Sequence, residues 1–357
     1  MRAQLFVSSF ARRCTGPALL LAPLLLGACA GRADPPPPAA GMEAVLQEQR
    51  RLNVRRVESL DPIRARQEPH LIDAARAVRN VQGLPYPDRE VPRVRDIQVP
   101  GAAGPLTARL YAPAETRDTP AVLLFPAGGW VRANLDVSDA SARALAASTG
   151  AVVLLVLPRV APEARFPAAH DDALAAYAWA VCRGLRELGA DPSRLVLAGE
   201  GAGATLALST ASRARGHGLG APDAVLLLTP VVSPEPATAA QRWNQDHYAT
   251  RGEQADPRLD PAGAAPLRGL PPVVLVLSEQ DPQAPAVQRL IARLHEAGVP
   301  VRGQVYAGTV PEFFGLDAVA EQARQAQDWT AAELRPILTR PEAPPPPRRA
   351  ARHQRRR

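Results

Sequence analysis

An apolar run, Leu195-Val196-Leu197-Ala198, passes straight into Gly199-Glu200-Gly201-Ala202-Gly203, and an Ala- and Leu-rich stretch continues to Arg215. The run predicts a buried strand and the stretch from Ala202 a helix, so the glycines must turn the chain sharply between them. A turn of this kind presents its middle residue at the top of a sheet and holds it in a backbone conformation that side chains resist. Gly201 stands at that middle position, and without a Cβ it adopts the conformation at little cost. The turn is therefore expected to form with no side chain at its tip.

The rest of the chain fits around this unit. Val94–Ile97 and Leu106–Ala112 predict two opening strands about a turn at Gly101–Gly104. Ala121–Phe125, Ala151–Leu157, Ala224–Val232, Val273–Ser278 and Val301–Tyr306 predict further strands. Helices are expected near 138–148, from Phe166 to Leu188, at 285–297 and at 318–337, and residues 42 to 83 also read as helical. Near-continuous apolar strands separated by helices predict an α/β architecture, a mostly parallel sheet with helices on both faces.

The chain has 357 residues and a net charge of +7, with no lysine among its 42 basic residues. Three arginines in residues 1–28 and a net +5 in residues 341–357 outweigh that total, so the body is near neutral. The high pI therefore argues for no nucleic-acid partner. Arg2, Arg12 and Arg13 followed by the apolar Pro17–Leu26 predict a signal peptide over 1–28, too short in its apolar part to span a bilayer comfortably. Ala30 to Gly41, with four prolines from Pro35, predicts a stiff linker, taken as 29–41. The Pro- and Arg-rich tail 341–357 is expected to be disordered, and Arg348 to Arg357 could meet anionic lipid. Cys182 is expected to be a small buried hydrophobe on the helix it occupies.

Several segments carry a resemblance. Leu26-Gly27-Ala28-Cys29 resembles the lipobox of bacterial lipoproteins, which implies acylation of Cys29, anchoring to the lipid bilayer and, with Ala30 following, an outer membrane location facing the periplasm. Over residues 42–340 the chain resembles the α/β-hydrolase fold, in the hormone-sensitive-lipase-like branch of esterases. Ala127-Gly128-Gly129-Trp130 stands where that family has His-Gly-Gly-Gly-Trp. Arg159-Val160-Ala161-Pro162-Glu163, Phe166-Pro167-Ala168-Ala169 and Asp171-Asp172 match another family stretch, and Tyr306-Ala307-Gly308 with Phe313-Phe314-Gly315-Leu316 matches the segment that carries the family's catalytic histidine. The resemblance implies cap material in residues 42–83 and 234–267.

Carried over position by position, the resemblance puts Gly201 at the nucleophile, Pro311 at the histidine and Asp281 at the acid, so only Asp281 keeps a catalytic residue. An esterase needs a nucleophile, a base that takes its proton, an acid that orients the base, and donors for the oxyanion. Gly128, Gly129 and Ala202 could still offer backbone donors to a ligand. Glu200 replaces the family's Asp beside the nucleophile, and Glu312 replaces the Gly after the histidine. With Asp281 they could form a carboxylate cluster, although Glu200 more simply stabilises the turn. His170 is expected near the surface, His217 in a turn and His295 on an amphipathic helix, while His247, Ser209 and Ser212 are weak surrogate candidates. No metal site and no cofactor are expected. The expected function is a catalytically inactive esterase-like domain on a membrane-anchored lipoprotein, binding a small acyl or carboxylate ligand or an envelope protein partner. The alternative is an active carboxylic-ester hydrolase with an unconventional site.

Overall fold

Apolar strands alternate with helices in the computed structural model, which describes residues 38–84 and 89–339. Cys29, residues 1–28 and Arg348 to Arg357 lie outside the described residues. Three helices come first: α1 (Ala40–Arg51), α2 (Pro62–Ala65) and α3 (Leu71–Gln82). Asp61 caps α2 by accepting the Arg64 N–H at 3.0 Å, and Gly83 ends α3 in the left-handed conformation. Then follow β1 (Arg93–Gly101), β2 (Gly104–Ala112), β3 (Thr119–Phe125), α4 (Asp139–Thr149), β4 (Val152–Val156), α5 (Ala168–Trp179), α6 (Leu185–Glu187) and β5 (Ala190–Glu200). The second half comprises α7 (Ala202–Ala214), β6 (Ala224–Leu228), α8 (Ala239–Tyr248), β7 (Val273–Ser278), α9 (Ala284–Glu296), β8 (Val301–Tyr306) and α10 (Glu321–Leu338).

The strands form one sheet in the order β1-β2-β4-β3-β5-β6-β7-β8. β1 with β2 and β2 with β4 run antiparallel, and every other pair is parallel. Successive side chains leave a strand on opposite faces. Leu123, Phe125, Leu197 and Leu227 accordingly pack with Ala173 of α5, Ala204 of α7 and Leu290 of α9. Val122, Leu124, Val196 and Leu226 pack on the other side with Leu145 of α4, Leu334 of α10 and Met42 of α1. The fold expected from the apolar runs is the fold observed. Among the described residues, no helix is long and apolar enough to cross a membrane.

Three local expectations are corrected. β6 ends at Leu228 rather than Val232, because Thr229 takes a positive φ of 38° and turns the chain across the end of the sheet. Cys182 is exposed rather than buried. It lies in a π-helical segment, Ala180–Gly184, whose wider turn rotates the helix faces out of the register an α-helix would keep. His170 is 1% exposed rather than near the surface. Its Nδ1 meets the Tyr248 hydroxyl at 2.8 Å and its Nε2 the Arg258 carbonyl at 3.2 Å. Burial pushes its pKa down to about 3, so the ring is neutral and structural.

α7 sits hard against the sheet through glycine. A Cβ on Gly203 would stand 2.2 Å from the Phe125 carbonyl oxygen. Gly203→Ala is therefore expected to lose roughly 2–3 kcal/mol in urea unfolding. Gly216→Ala, where a Cβ meets nothing within 4 Å, should stay within about 0.5 kcal/mol of the parent. Equal midpoints for the two variants would mean that α7 can back away from β3.

Candidate functional site

Gly201 sits between β5 and α7 at φ 55°, ψ −117°. Its N–H donates to the Leu228 carbonyl at 2.9 Å, and its own carbonyl accepts from Val231 N at 3.0 Å. A Cβ there would lie 3.6 Å from Ala127 Cβ, an ordinary contact. Space would admit a side chain at the tip, and only the backbone conformation resists one. Glycine at this position relieves the strain and leaves no side chain at the tip.

The loop after β3 forms the neighbouring wall. Gly128 at φ 107° lies so close to Ala133 that a Cβ would meet its nitrogen at 2.5 Å. Gly129 at φ 63° packs beneath the Asn244 side chain of α8. Trp130, also at positive φ, stacks on Tyr248 with ring centroids 4.9 Å apart. The Ala127 N–H donates to Ser138 Oγ at 3.1 Å, which fixes the start of the loop against α4.

Opposite this loop, the ends of β7 and β8 are tied together. Glu279 N donates to the Tyr306 carbonyl and Gln280 N to the Thr309 carbonyl, each at 3.1 Å. Asp281 Oδ1 accepts from Gln283 N at 2.8 Å, while its buried Oδ2 has no partner. Burial raises the Asp281 pKa to about 6. Pro311 supplies nothing that the free oxygen could accept from.

A cavity of about 490 Å³ lies over these segments. Gly128, Gly129, Pro311, Glu312 and Arg132 line it, with His70 of the turn into α3 and Asn244 of α8. Of the positions expected to bind a ligand, Gly128 and Gly129 reach this cavity. Ala202 instead lines a separate void of about 10 Å³ with Trp130 and Gly203. Gly201 and Asp281 are absent from the cavity wall.

Glu200 and Glu312 are near enough for Glu312 to add to the rise of the Glu200 pKa, while neither acts on Asp281. Glu200 is 1% exposed, with Oε2 accepting from Ser138 Oγ at 2.6 Å and Oε1 from Ser141 Oγ at 3.0 Å. It ties the end of β5 to α4, the structural role expected of it. Burial pushes its pKa up to about 7, against the two hydroxyls. Glu312 lies on the cavity wall at φ 67°, its N–H donating to Thr229 Oγ1 at 3.2 Å. Burial also raises the Glu312 pKa, while Arg132 pulls it back. Among the described residues, no three His, Cys, Asp or Glu side chains are grouped to hold a metal ion. His247 bonds the Trp243 carbonyl within its own helix, and Ser212 bonds the Ser209 carbonyl within α7.

Sequence reasoning missed Arg132, His70 and Asn244. Arg132 donates from Nε to the Ala65 carbonyl at 2.8 Å and from Nη2 to the Glu68 carbonyl at 3.1 Å, joining the Gly-Gly loop to the segment before α3. His70 opens α3 in a reciprocal box with Asp73, whose Oδ2 accepts the His70 N–H at 2.8 Å. Burial, with Arg132 nearby, lowers the His70 pKa to about 4. The His70-x-x-Asp73 spacing is a sequence signal that could have placed this histidine at a helix start.

Comparison with known proteins agrees with this architecture. A family model described as alpha/beta hydrolase fold matches residues 122–315. Esterase LipI of Mycobacterium tuberculosis is 33% identical over 290 residues, covering 74% of this chain and 89% of that protein. The ethyl acetate hydrolase of Pseudomonas putida is 31% identical, covering 61% and 74%. Among solved structures, a hyperthermophilic esterase from Pyrobaculum calidifontis superposes with a TM-score of 0.75 at 27% identity, covering 84% of this chain and 99% of that one.

The raised Glu200 pKa makes stability depend on pH with a definite sign. The buried carboxyl is protonated in the folded chain while the unfolded chain has already lost that proton. Its contribution is complete below about pH 4.5 and gone above about pH 7. Glu200→Gln should therefore gain stability relative to the parent across that window, by roughly 3 kcal/mol at its upper end. Urea unfolding at pH 5 and pH 8 checks this, and a difference independent of pH would mean that Glu200 is ionised in both states.

Proposed function

Because the chain belongs to the α/β-hydrolase-fold family that includes the hormone-sensitive-lipase-like esterases, we propose that it is an esterase-derived binding protein. In this reading it does not hydrolyse esters and holds a small acyl or carboxylate ligand in the cavity lined by Gly128, Gly129 and Glu312. One observation carries the reading. Gly201 and Pro311 occupy the nucleophile and base positions, and the surviving acid, Asp281, has an oxygen with no partner. Attack on an ester carbonyl needs a nucleophile and a group to take its proton, and removing triad members leaves only binding and oxyanion effects. A protein partner over α1, α3 and α8 is the other form of the binding reading. An unconventional hydrolase is favoured by one feature only: Glu312 is a carboxylate on the same wall as Gly128 and Gly129.

The decisive test is hydrolysis of a short-chain p-nitrophenyl ester panel. The parent and Asp281→Ala are expected to show no saturable turnover. Gly201→Ser alone should stay inactive and be less stable by roughly 1–3 kcal/mol. The triple variant Gly201→Ser/Pro311→His/Glu312→Gly should gain turnover, since Asp281 Oδ2 is available to orient a histidine. Saturable turnover by the parent, lost in Glu312→Gln, would overturn the reading in favour of a carboxylate-driven hydrolase.

The location follows as part of the same proposal. Leu26-Gly27-Ala28-Cys29 supports a lipid anchor that holds the domain on the bacterial outer membrane, facing the periplasm, with Arg348 to Arg357 available to anionic lipid. Alkyne-palmitate labelling in cells should mark the parent and spare Cys29→Ser, and labelling of both would refute acylation at Cys29.

A further inference from the structure

The cavity carries a charged pair that ester chemistry does not use. Arg132 spends Nε and Nη2 on two carbonyl oxygens, and its positive charge is attracted by Glu312, Glu68 and Asp73 without a direct carboxylate bond. Glu312 stands on the same wall, in a left-handed backbone conformation that costs a side-chain-bearing residue about 1–2 kcal/mol. Strain of this kind persists where the surroundings impose it, and it gathers at ligand sites. Thr229 and Trp130, which also take positive φ, flank the same region. His70 and Asn244 add a buried Nε2 and a buried Oδ1 without partners in the protein.

The remaining wall is mixed: Leu46, Val54, Val57, Leu71 and Val310 give it an apolar part, and Gln49 with the Arg56–Glu58 ion pair gives it a polar one. A plain acyl chain would suit the apolar part but would desolvate Arg132 and Glu312 and pair with neither. Small-molecule sites typically span about 300–1,000 Å³, and this cavity of about 490 Å³ falls inside that range.

Resting on the binding reading above, we infer that the cavity takes an apolar-tailed carboxylate that also carries a hydrogen-bond donor, an amino acid or a hydroxy acid. Its carboxylate faces Arg132 and the Gly128–Gly129 backbone, its ammonium or hydroxyl faces Glu312, and its tail lies against the apolar part of the wall. Arg132 Nη1, which neither carbonyl bond uses, can donate to a carboxylate, and a carboxylate side chain accepts from either donor.

Titration calorimetry of the full chain with phenylalanine, 3-phenyllactate and 3-phenylpropionate separates the contributions, since the three share a tail and a carboxylate and only the first two carry a donor. At least one of the first two should bind ten-fold or more tighter than 3-phenylpropionate, and which one does so identifies the donor as ammonium or hydroxyl. Glu312→Gly should erase that preference while raising the melting temperature, because glycine relieves the left-handed strain. Arg132→Gln should lose all three ligands, with circular dichroism confirming that it folds. Equal affinities in the parent, a preference that survives Glu312→Gly, or no binding at all would overturn the inference. The ester panel is scored separately, so turnover by the parent would sink the loss of hydrolysis and leave the ligand preference to stand or fall alone.

Discussion

The first turn of α7 lies against the ends of β3 and β5 at a distance only glycine permits. A Cβ on Gly199 would stand 2.1 Å from the Gly203 carbonyl oxygen, and one on Gly203 2.2 Å from that of Phe125. This contact sets where the helix starts, and with it the direction of the tip residue. The hydrogen bonds from Gly201 N to Leu228 and from Val231 N to Gly201 then draw the chain leaving β6 across the elbow. The three glycines of the frame thus answer to different demands. Gly199 and Gly203 are required by packing, Gly201 by dihedral angle alone. The sheet therefore does not depend on which side chain, if any, stands at the middle position.

The segment before the sheet belongs to the site because two arginines exchange ends with the Gly-Gly loop. Arg66 of the early segment donates to the Val131 carbonyl at 2.8 Å and the Ala161 carbonyl at 2.6 Å. Arg132 of the loop donates back to Ala65 and Glu68. Trp243 Nε1 adds a bond to the Leu60 carbonyl at 3.1 Å, bringing α8 to the same seam. Arg66 also pairs with Glu163, but Glu163 is 59% exposed, so that pair is screened and contributes little. The carbonyl bonds do the positioning. They place His70 and Leu71 on the cavity wall although both are far from the elbow in sequence.

The legible part of this protein was the part written in short-range pattern. Val273–Ser278 was read with the bounds the structure gives it, since a buried parallel strand announces itself as an unbroken apolar run, and the edge strand Val301–Tyr306, largely exposed, was also read with its observed bounds. The motifs singled out Gly201, Pro311 and Asp281, and the structure puts them after β5, β8 and β7 respectively. Arg132, His70 and Asn244 were not, because each joins the site through partners far off in sequence, such as Arg132 with Ala65. The π turn around Cys182 gives no periodic signal, and the burial of His170 depends on Tyr248 and Arg258, which arrive from the insertion after β6. Glu200 and Glu312 looked alike as carboxylates beside lost catalytic residues. The serines of α4 hold one beneath the elbow, and Thr229 holds the other at the cavity.

Glu312 bears on whether the old site is merely vacant. A position under no demand accumulates whatever residue costs least, and most such changes are tolerated only while stability allows. At φ 67° the least costly residue is glycine. Glutamate there is unfavourable twice over: its backbone is left-handed, and its carboxyl is crowded enough by protein to resist ionisation. Arg132, whose charge offsets part of the second cost, is itself desolvated on the same wall. Two charged side chains thus stand at a cavity where apolar filling would cost less. A ligand with groups of opposite charge would offset both costs at once, which plain apolar filling could not do.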